Sequence, residues 1–351
     1  MKSTAAISLL LLTALASAPL AAQAPSFPPP LADHHMHING EGVVNWMRRM
    51  AEKSPEDVAG MSEDIFRTRS GTDALRELDR AGIKQGVLLS AAYMFASPML
   101  PTEDMAAKMR AENRYVVDAA KASGGRLVAF VGINPFAGNA LEELSYWSRH
   151  GASGIKLHMG NSELDLASPD HVSKLASFFG AARVARLPIV IHLRGRADYT
   201  ADGVRTFIDR ILSQAGDLPV QIAHGGSYGG TDPVTLDAIR AYGDAIARKA
   251  PGTENLVIEI SAVAQFDLSQ GKDLKAHQDR VAQYVEEMRK IGMDRFVFGS
   301  DWPALSPPTE YFAAERTKLP ITDAEWADIA DNRAPYLLPA WTDGRAGRNA
   351  H

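Results

Sequence analysis

The segment Asp33-His34-His35-Met36-His37 holds three of the chain's ten histidines and follows Pro28-Pro29-Pro30-Leu31. In a strand successive side chains alternate faces, so His35 and His37 point one way and Met36 the other. Two imidazoles on one face can grip one cation. A solvated histidine-rich terminus would read the same over five residues, so the other ionisable residues decide. Lys156 and His158 lie in Gly154-Ile155-Lys156-Leu157-His158, His192 closes Ile189-Val190-Ile191-His192, and His224 opens His224-Gly225-Gly226. Asp301 follows Phe298-Gly299-Ser300. The spacings are 36 residues from Lys156 to His192, 32 from His192 to His224 and 77 from His224 to Asp301. These fit one, one and two strand-helix repeats.

The elements that must position these residues are short apolar runs alternating with longer amphipathic stretches, the pattern of βα units and a buried parallel sheet. Strands are predicted over 31–37, 85–90, 127–133, 154–158, 189–192, 220–224, 256–260 and 295–300. Helices are predicted over 103–120, 140–149, 171–185, 203–213, 233–247 and 274–291. Eight such repeats predict a single TIM (β/α)8 barrel over residues 25–340, in which functional side chains project from the C-terminal strand ends. Thr322 and Glu325 have capping-box spacing and start a late helix, and 341–351 reads as a frayed tail. The insert 40–71 carries Trp46, Met47 and Met50 and belongs over the barrel mouth, as a lid or a dimer contact.

Residues 1–24 have Lys2 as their only charge, an apolar stretch over 5–18 and small residues after it, which reads as a signal peptide cleaved somewhere within 18–24. A periplasmic or secreted protein without stable membrane insertion is therefore expected. The chain has no cysteine. Disulfides, thiolate metal ligands, a cysteine nucleophile and lipoprotein anchoring are excluded, and any metal must be held by nitrogen and oxygen. The net charge is -5 and no basic run occurs, so nucleic acid is not an expected partner. A small-molecule substrate is, and a homodimer is the expected assembly.

In this order, and over about 33–338, these motifs and the late Asn332 resemble the amidohydrolase-related branch of the amidohydrolase superfamily, which includes aminocarboxymuconate semialdehyde decarboxylase and pyrone dicarboxylate lactonase. The resemblance implies a mononuclear site with His35, His37, His192 and Asp301 as metal ligands and His224 as a catalytic group. Three imidazoles and a carboxylate suit one Zn2+, with Mn2+ as the alternative. Such an ion activates water and polarises carbonyls. Asp301 would then take a proton and His224 would serve as acid, base or oxyanion donor. In the binuclear branch a strand-4 lysine is carbamylated, and Lys156 with His192 and His224 offers that two-metal alternative.

Lys156 otherwise serves substrate, His158 lines the pocket or packs, and Arg194 clamps a substrate carboxylate or lies on the surface. Asp33 is read as orienting a ligand histidine or as a core aspartate. Glu259 and Ser261 end the seventh strand without an assigned role, and His150, His171, His277 and His351 are read as solvated. The expected activity is a metal-dependent hydrolase of a small amide, lactone or ester. The alternatives are a decarboxylase of an aromatic or unsaturated acid on the same ligands and a non-catalytic binding protein.

Overall fold

A computed structural model of the chain describes residues 27–58, 61–195, 199–265, 273–339 and 341–342. The expected signal peptide and nearly all of the expected tail lie outside the described residues. Eight parallel strands are hydrogen-bonded in sequence order: β1 (Ala32–Met36), β2 (Gln85–Leu89), β3 (Leu127–Gly132), β4 (Gly154–His158), β5 (Ile189–His192), β6 (Val220–Ile222), β7 (Leu256–Glu259) and β8 (Phe296–Val297). The ring closes between β8 and β1. His34 N–H donates to Phe298 O at 3.0 Å, Asp301 N–H to His35 O at 2.7 Å and His37 N–H to Trp302 O at 2.6 Å. This is the architecture of a TIM barrel.

Alternation along the strands sorts side chains into two layers. Val87, Leu89, Phe130, Val190 and Val257 fill the barrel interior, which Tyr336 and Leu337 plug from the C-terminal turn. Their neighbours Leu88, Val131, Ile155, Ile191, Ile222 and Ile258 face outward against the helices. Lys156, His158 and His192 fall on the inward register, so a strand-end polar residue looks into the mouth rather than into the helix layer.

The helices are α1 (Glu41–Lys53), α2 (Gly71–Ala81), α3 (Met105–Ala122), α4 (Ala140–Arg149), α5 (Pro169–Ala185), α6 (Ala201–Thr206), α7 (Pro233–Ala247), α8 (Leu274–Ile291), α9 (Pro308–Lys318) and α10 (Asp323–Asp331). Thr322 and Glu325 form both bonds of a capping box at α10. Asn332 ends α10 and donates from Nδ2 to Asp294 O and Phe296 O, tying the start of β8. The helix predicted over 203–213 is instead α6, a π turn over Phe207–Ile211 and a 3-10 turn over Leu212–Ala215. Among the described residues no helix is long and apolar enough to cross a membrane.

α1 lies in the insert after β1 and buries Val43, Val44, Trp46, Met47 and Met50. The apolar face expected of this segment therefore turns inward. Its start is held by Glu112 of α3, whose carboxyl accepts from Gly40 N–H at 3.0 Å. Burial pushes the Glu112 carboxyl from its ordinary 4.5 up to about 7. Between those values the unfolded chain has shed the proton that the folded chain keeps, so stability falls as pH rises through that window, by about 3 kcal/mol at roughly 1.4 kcal/mol per unit. Glu112→Gln keeps an acceptor for Gly40 and is expected to remove this fall; denaturation curves of both proteins at pH 5 and pH 8 check it.

Candidate metal centre and active site

The mouth of the barrel opens into a cavity of about 650 Å³. His35, His37 and Lys156 lie on its floor together with His158, His192, His224 and Asp301. Seven of the eight candidate residues named from the sequence are thus brought together. Arg194 is the exception. Its guanidinium forks onto the Asp232 carboxylate at 3.1 and 2.5 Å, donates to Thr235 Oγ1 at 3.1 Å, and is absent from the cavity lining. With both terminal nitrogens taken at the N-terminus of α7, Arg194 fastens the loop after β5 to that helix and is not offered to a substrate carboxylate.

Hydrogen bonds behind the floor set the faces of the rings. His37 Nδ1 lies 2.6 Å from Leu89 O, and a carbonyl only accepts, so Nδ1 carries the proton. His35 Nδ1 donates to Glu259 Oε2 at 2.8 Å. Burial, together with the nearby Lys156, holds the His35 ring far below the usual histidine range, so it is neutral. His35 thus turns an Nε2 lone pair to the cavity and His37 turns its Nε2 the same way, and the two atoms lie 3.4 and 3.2 Å from Asp301 Oδ1. Burial would raise the Asp301 carboxyl, but the surrounding imidazoles of His35, His37 and His224 outweigh it and hold it well below the usual range.

Three potential ligand atoms therefore converge within 4.8 Å of one another. Such a set can close on a single cation. His192 Nε2, on the same floor, is buried and has no hydrogen-bond partner, although it lies outside that three-atom group. Burial holds its ring neutral, the state a metal ligand needs. The donor set thus fits one divalent metal ion of the kind held by nitrogen and oxygen.

Glu259, left without a role by its spacing, is the hub behind this set. Fully buried at the end of β7, it takes the His35 ring on Oε2, where it also accepts from Ser261 Oγ at 3.0 Å and His224 N–H at 3.2 Å. Since the Ser261 hydroxyl hydrogen goes to Glu259, its oxygen accepts from His224 Nδ1–H at 2.7 Å. One carboxylate fixes two rings, His35 directly and His224 through Ser261. The grouping of His35, His224 and Glu259 is this hydrogen-bonded framework rather than an open donor set. The available signal was a glutamate inside an otherwise apolar buried run, which demands a partner.

Close packing holds Glu259 in place. A Cβ on Gly299 would sit 2.6 Å from Glu259 Oε1 and 2.8 Å from His35 Cβ. Gly299→Ala is therefore expected to cost about 1–3 kcal/mol of stability through overpacking. A denaturation curve superimposable on the parent's would show the clash to be relieved.

The backbone is strained where it delivers these groups. His224, Ala262 and Asp301 have φ of 55°, 61° and 54°, in the left-handed region that non-glycine residues rarely occupy. All three follow strand ends at the mouth. Asp33 accepts from His35 N–H at 3.1 Å and Ser300 N–H at 3.0 Å, so it orients backbone at the closure of the ring rather than an imidazole. Burial raises its carboxyl to about 7. His34 points away from the site, donating from Nδ1 to Phe298 O at 2.8 Å and accepting from Ala334 N–H at 3.0 Å.

Lys156 Nζ lies 3.4 Å from His35 Nε2, and burial lowers its pKa to about 8. His158 stacks on Tyr93 with ring centroids 4.8 Å apart and receives two donors from Asn161 on Nδ1. Burial, reinforced by Lys156, holds it at about 3, a neutral wall of the cavity. His277, read from sequence as solvated, is 4% exposed and lies 3.3 Å from Ala264 O through Nε2. His150 and His171 are half-buried, each stacked on an aromatic ring.

No curated protein sequence matches the chain. Solved structures resemble it at the level of fold. A protein described as a probable 2-pyrone-4,6-dicarboxylic acid hydrolase from Acinetobacter baumannii, with citric acid bound, superposes with a TM-score of 0.51 at 14% identity, covering 91% of this chain and 99% of its own. An amidohydrolase from Burkholderia multivorans with bound zinc gives 0.56 at 15%, covering 92% and 99%. A dihydroxybenzoic acid decarboxylase from Polaromonas sp. JS666, with manganese and the inhibitor 2-nitroresorcinol, gives 0.55 at 14%, covering 92% and 97%. A family model described as Amidohydrolase matches residues 32–332. The chain belongs to the amidohydrolase family.

Proposed function

We propose that this protein is a metal-dependent hydrolase of a small carbonyl substrate, an amide, lactone or ester. The observation that carries the reading is the convergence of two imidazole nitrogens and a carboxylate oxygen at the cavity floor. His35, His37, His192 and Asp301 would hold one divalent ion, Zn2+ by preference and Mn2+ as the alternative. A metal bound there supplies Lewis acidity to a carbonyl oxygen and acidity to water. His224, with Nδ1–H held by Ser261, keeps Nε2 for a proton and exchanges it with the reacting group. A proton gained there is stabilised through Ser261 by the Glu259 carboxylate. Lys156, on the same floor, donates to an oxygen of the substrate.

A lyase reading uses the same ligands, and it is favoured by the decarboxylase among the similar structures. Metal content per chain and product analysis test both. About one metal per chain, with hydrolysis of a tested ester, lactone or amide, supports the hydrolase. Carbon dioxide release without hydrolytic cleavage overturns it in favour of the lyase, and two metals per chain promote Lys156 to a carbamylated bridge. We also assign the protein to the periplasm or the exterior, on the apolar stretch near its start, and expect a homodimer in light scattering.

A further inference from the structure

Above the histidine floor the cavity changes character. Trp46, Met47 and Met50 of α1, Met61 beyond it, and Met94 and Met99 after β2 line its upper wall. Five of the chain's twelve methionines meet in this one wall. Thioether side chains are flexible and polarisable, so they close around apolar groups of varied outline.

Among the described lining residues Lys156 is the only lysine or arginine, and it lies on the floor beside His35. Four of the insert's five cations are engaged elsewhere, and the fifth, Arg49, is exposed and is not a lining residue. Arg48 donates to Phe66 O at 2.7 Å, Lys53 donates to Met99 O at 2.6 Å, and Arg69 and Arg67 pair with Asp64 at 2.6 and 3.6 Å. The one ionisable group that the insert contributes to the lining is an acid, Glu56. A substrate carboxylate at that level would lose water and meet thioethers and a like charge, which is costly.

We propose that the cavity takes a substrate whose reacting carbonyl or carboxyl end lies on the floor and whose remaining body is an uncharged apolar chain or ring. A second carboxylate is excluded from that body. The orientation of this substrate rests on the metal-site reading above; the character of the wall does not.

Three hydroxamates and one alcohol test it on the zinc-loaded full chain: acetohydroxamate, octanohydroxamate, suberic acid monohydroxamate and 1-octanol. Dissociation constants come from calorimetry, and 13C-methyl methionine NMR reports the wall. Burial of methylenes gains about three- to fourfold each, so octanohydroxamate is expected to bind at least about thirtyfold tighter than acetohydroxamate. The terminal carboxylate of the suberic probe is expected to forfeit about tenfold or more of that gain. Octanohydroxamate and 1-octanol are both expected to shift the methyl resonances of Met47, Met50 and Met94, and to leave the buried Met288 unmoved. Equal affinity of the suberic and octanoyl probes, or unmoved wall methyls, overturns the proposal. Failure of acetohydroxamate to bind, while 1-octanol still moves those methyls, overturns the metal reading and supports the wall.

Discussion

Asp301→Asn is expected to abolish metal retention and lower turnover by about a thousandfold or more, while the metal-free protein becomes no less stable. Several kcal/mol of Lewis-acid stabilisation, at roughly 1.4 kcal/mol per tenfold, sets that scale. In the wild-type site the carboxylate oxygen faces the two imidazole Nε2 atoms at 3.4 and 3.2 Å. An asparagine amide has the same outline and can hydrogen-bond Nε2, but it brings no negative charge to a cation. The substitution removes the reason for a cation while keeping the fold. Metal analysis, turnover and melting in chelator are the measurements. Retention of about one metal per chain by the variant would sink the assignment of Asp301 as a ligand.

Glu259→Gln carries the second large effect, expected at about 10- to 100-fold in metal affinity or turnover, the range for partners that orient metal ligands. Wild-type Oε1 accepts from Ser261 N–H, while Oε2 accepts from the His35 ring, the Ser261 hydroxyl and His224 N–H. A glutamine has one acceptor end. If its oxygen replaces Oε2, its NH2 confronts Ser261 N–H; flipped, the NH2 confronts the His35 and His224 donors. Either way a buried donor goes unpaired at a cost of about 1–3 kcal/mol. Two rings depend on this carboxylate, so the pH profile of turnover should shift along with its height, which loss of stability alone would not produce. An unchanged profile and metal affinity would show Glu259 to be merely structural.

Much of the architecture was legible because its causes are local. The short apolar runs at 154–158 and 189–192 and the amphipathic spacing of 140–149, 233–247 and 274–291 mark elements whose ends the structure reproduces. The capping box at Thr322 and Glu325 is written in four residues. Strand β8 is shorter than predicted because Ser300 N–H goes to the Asp33 side chain, a partner 267 positions away. The misreading of Arg194 has the same origin, since Asp232 lies 38 residues downstream and no spacing rule announces the pair. Glu259 could be flagged as a buried charge, yet that it would serve His35 from 224 residues away follows only from closing the ring. Nothing in 201–215 foretells the π turn.

The donors His35, His37 and Asp301 straddle the joint between first and last strands, where β8 contributes only two regular residues. Backbone amides at His37 and Asp301 tie that joint to the same few atoms whose side chains converge above it. A divalent ion held across it would therefore act as a clasp on the circumference of the barrel, and hydrogen–deuterium exchange at these two amides would slow when it is loaded. Residues 296–302 supply one side of that clasp, so a chain cut before them lacks both the closed ring and the site.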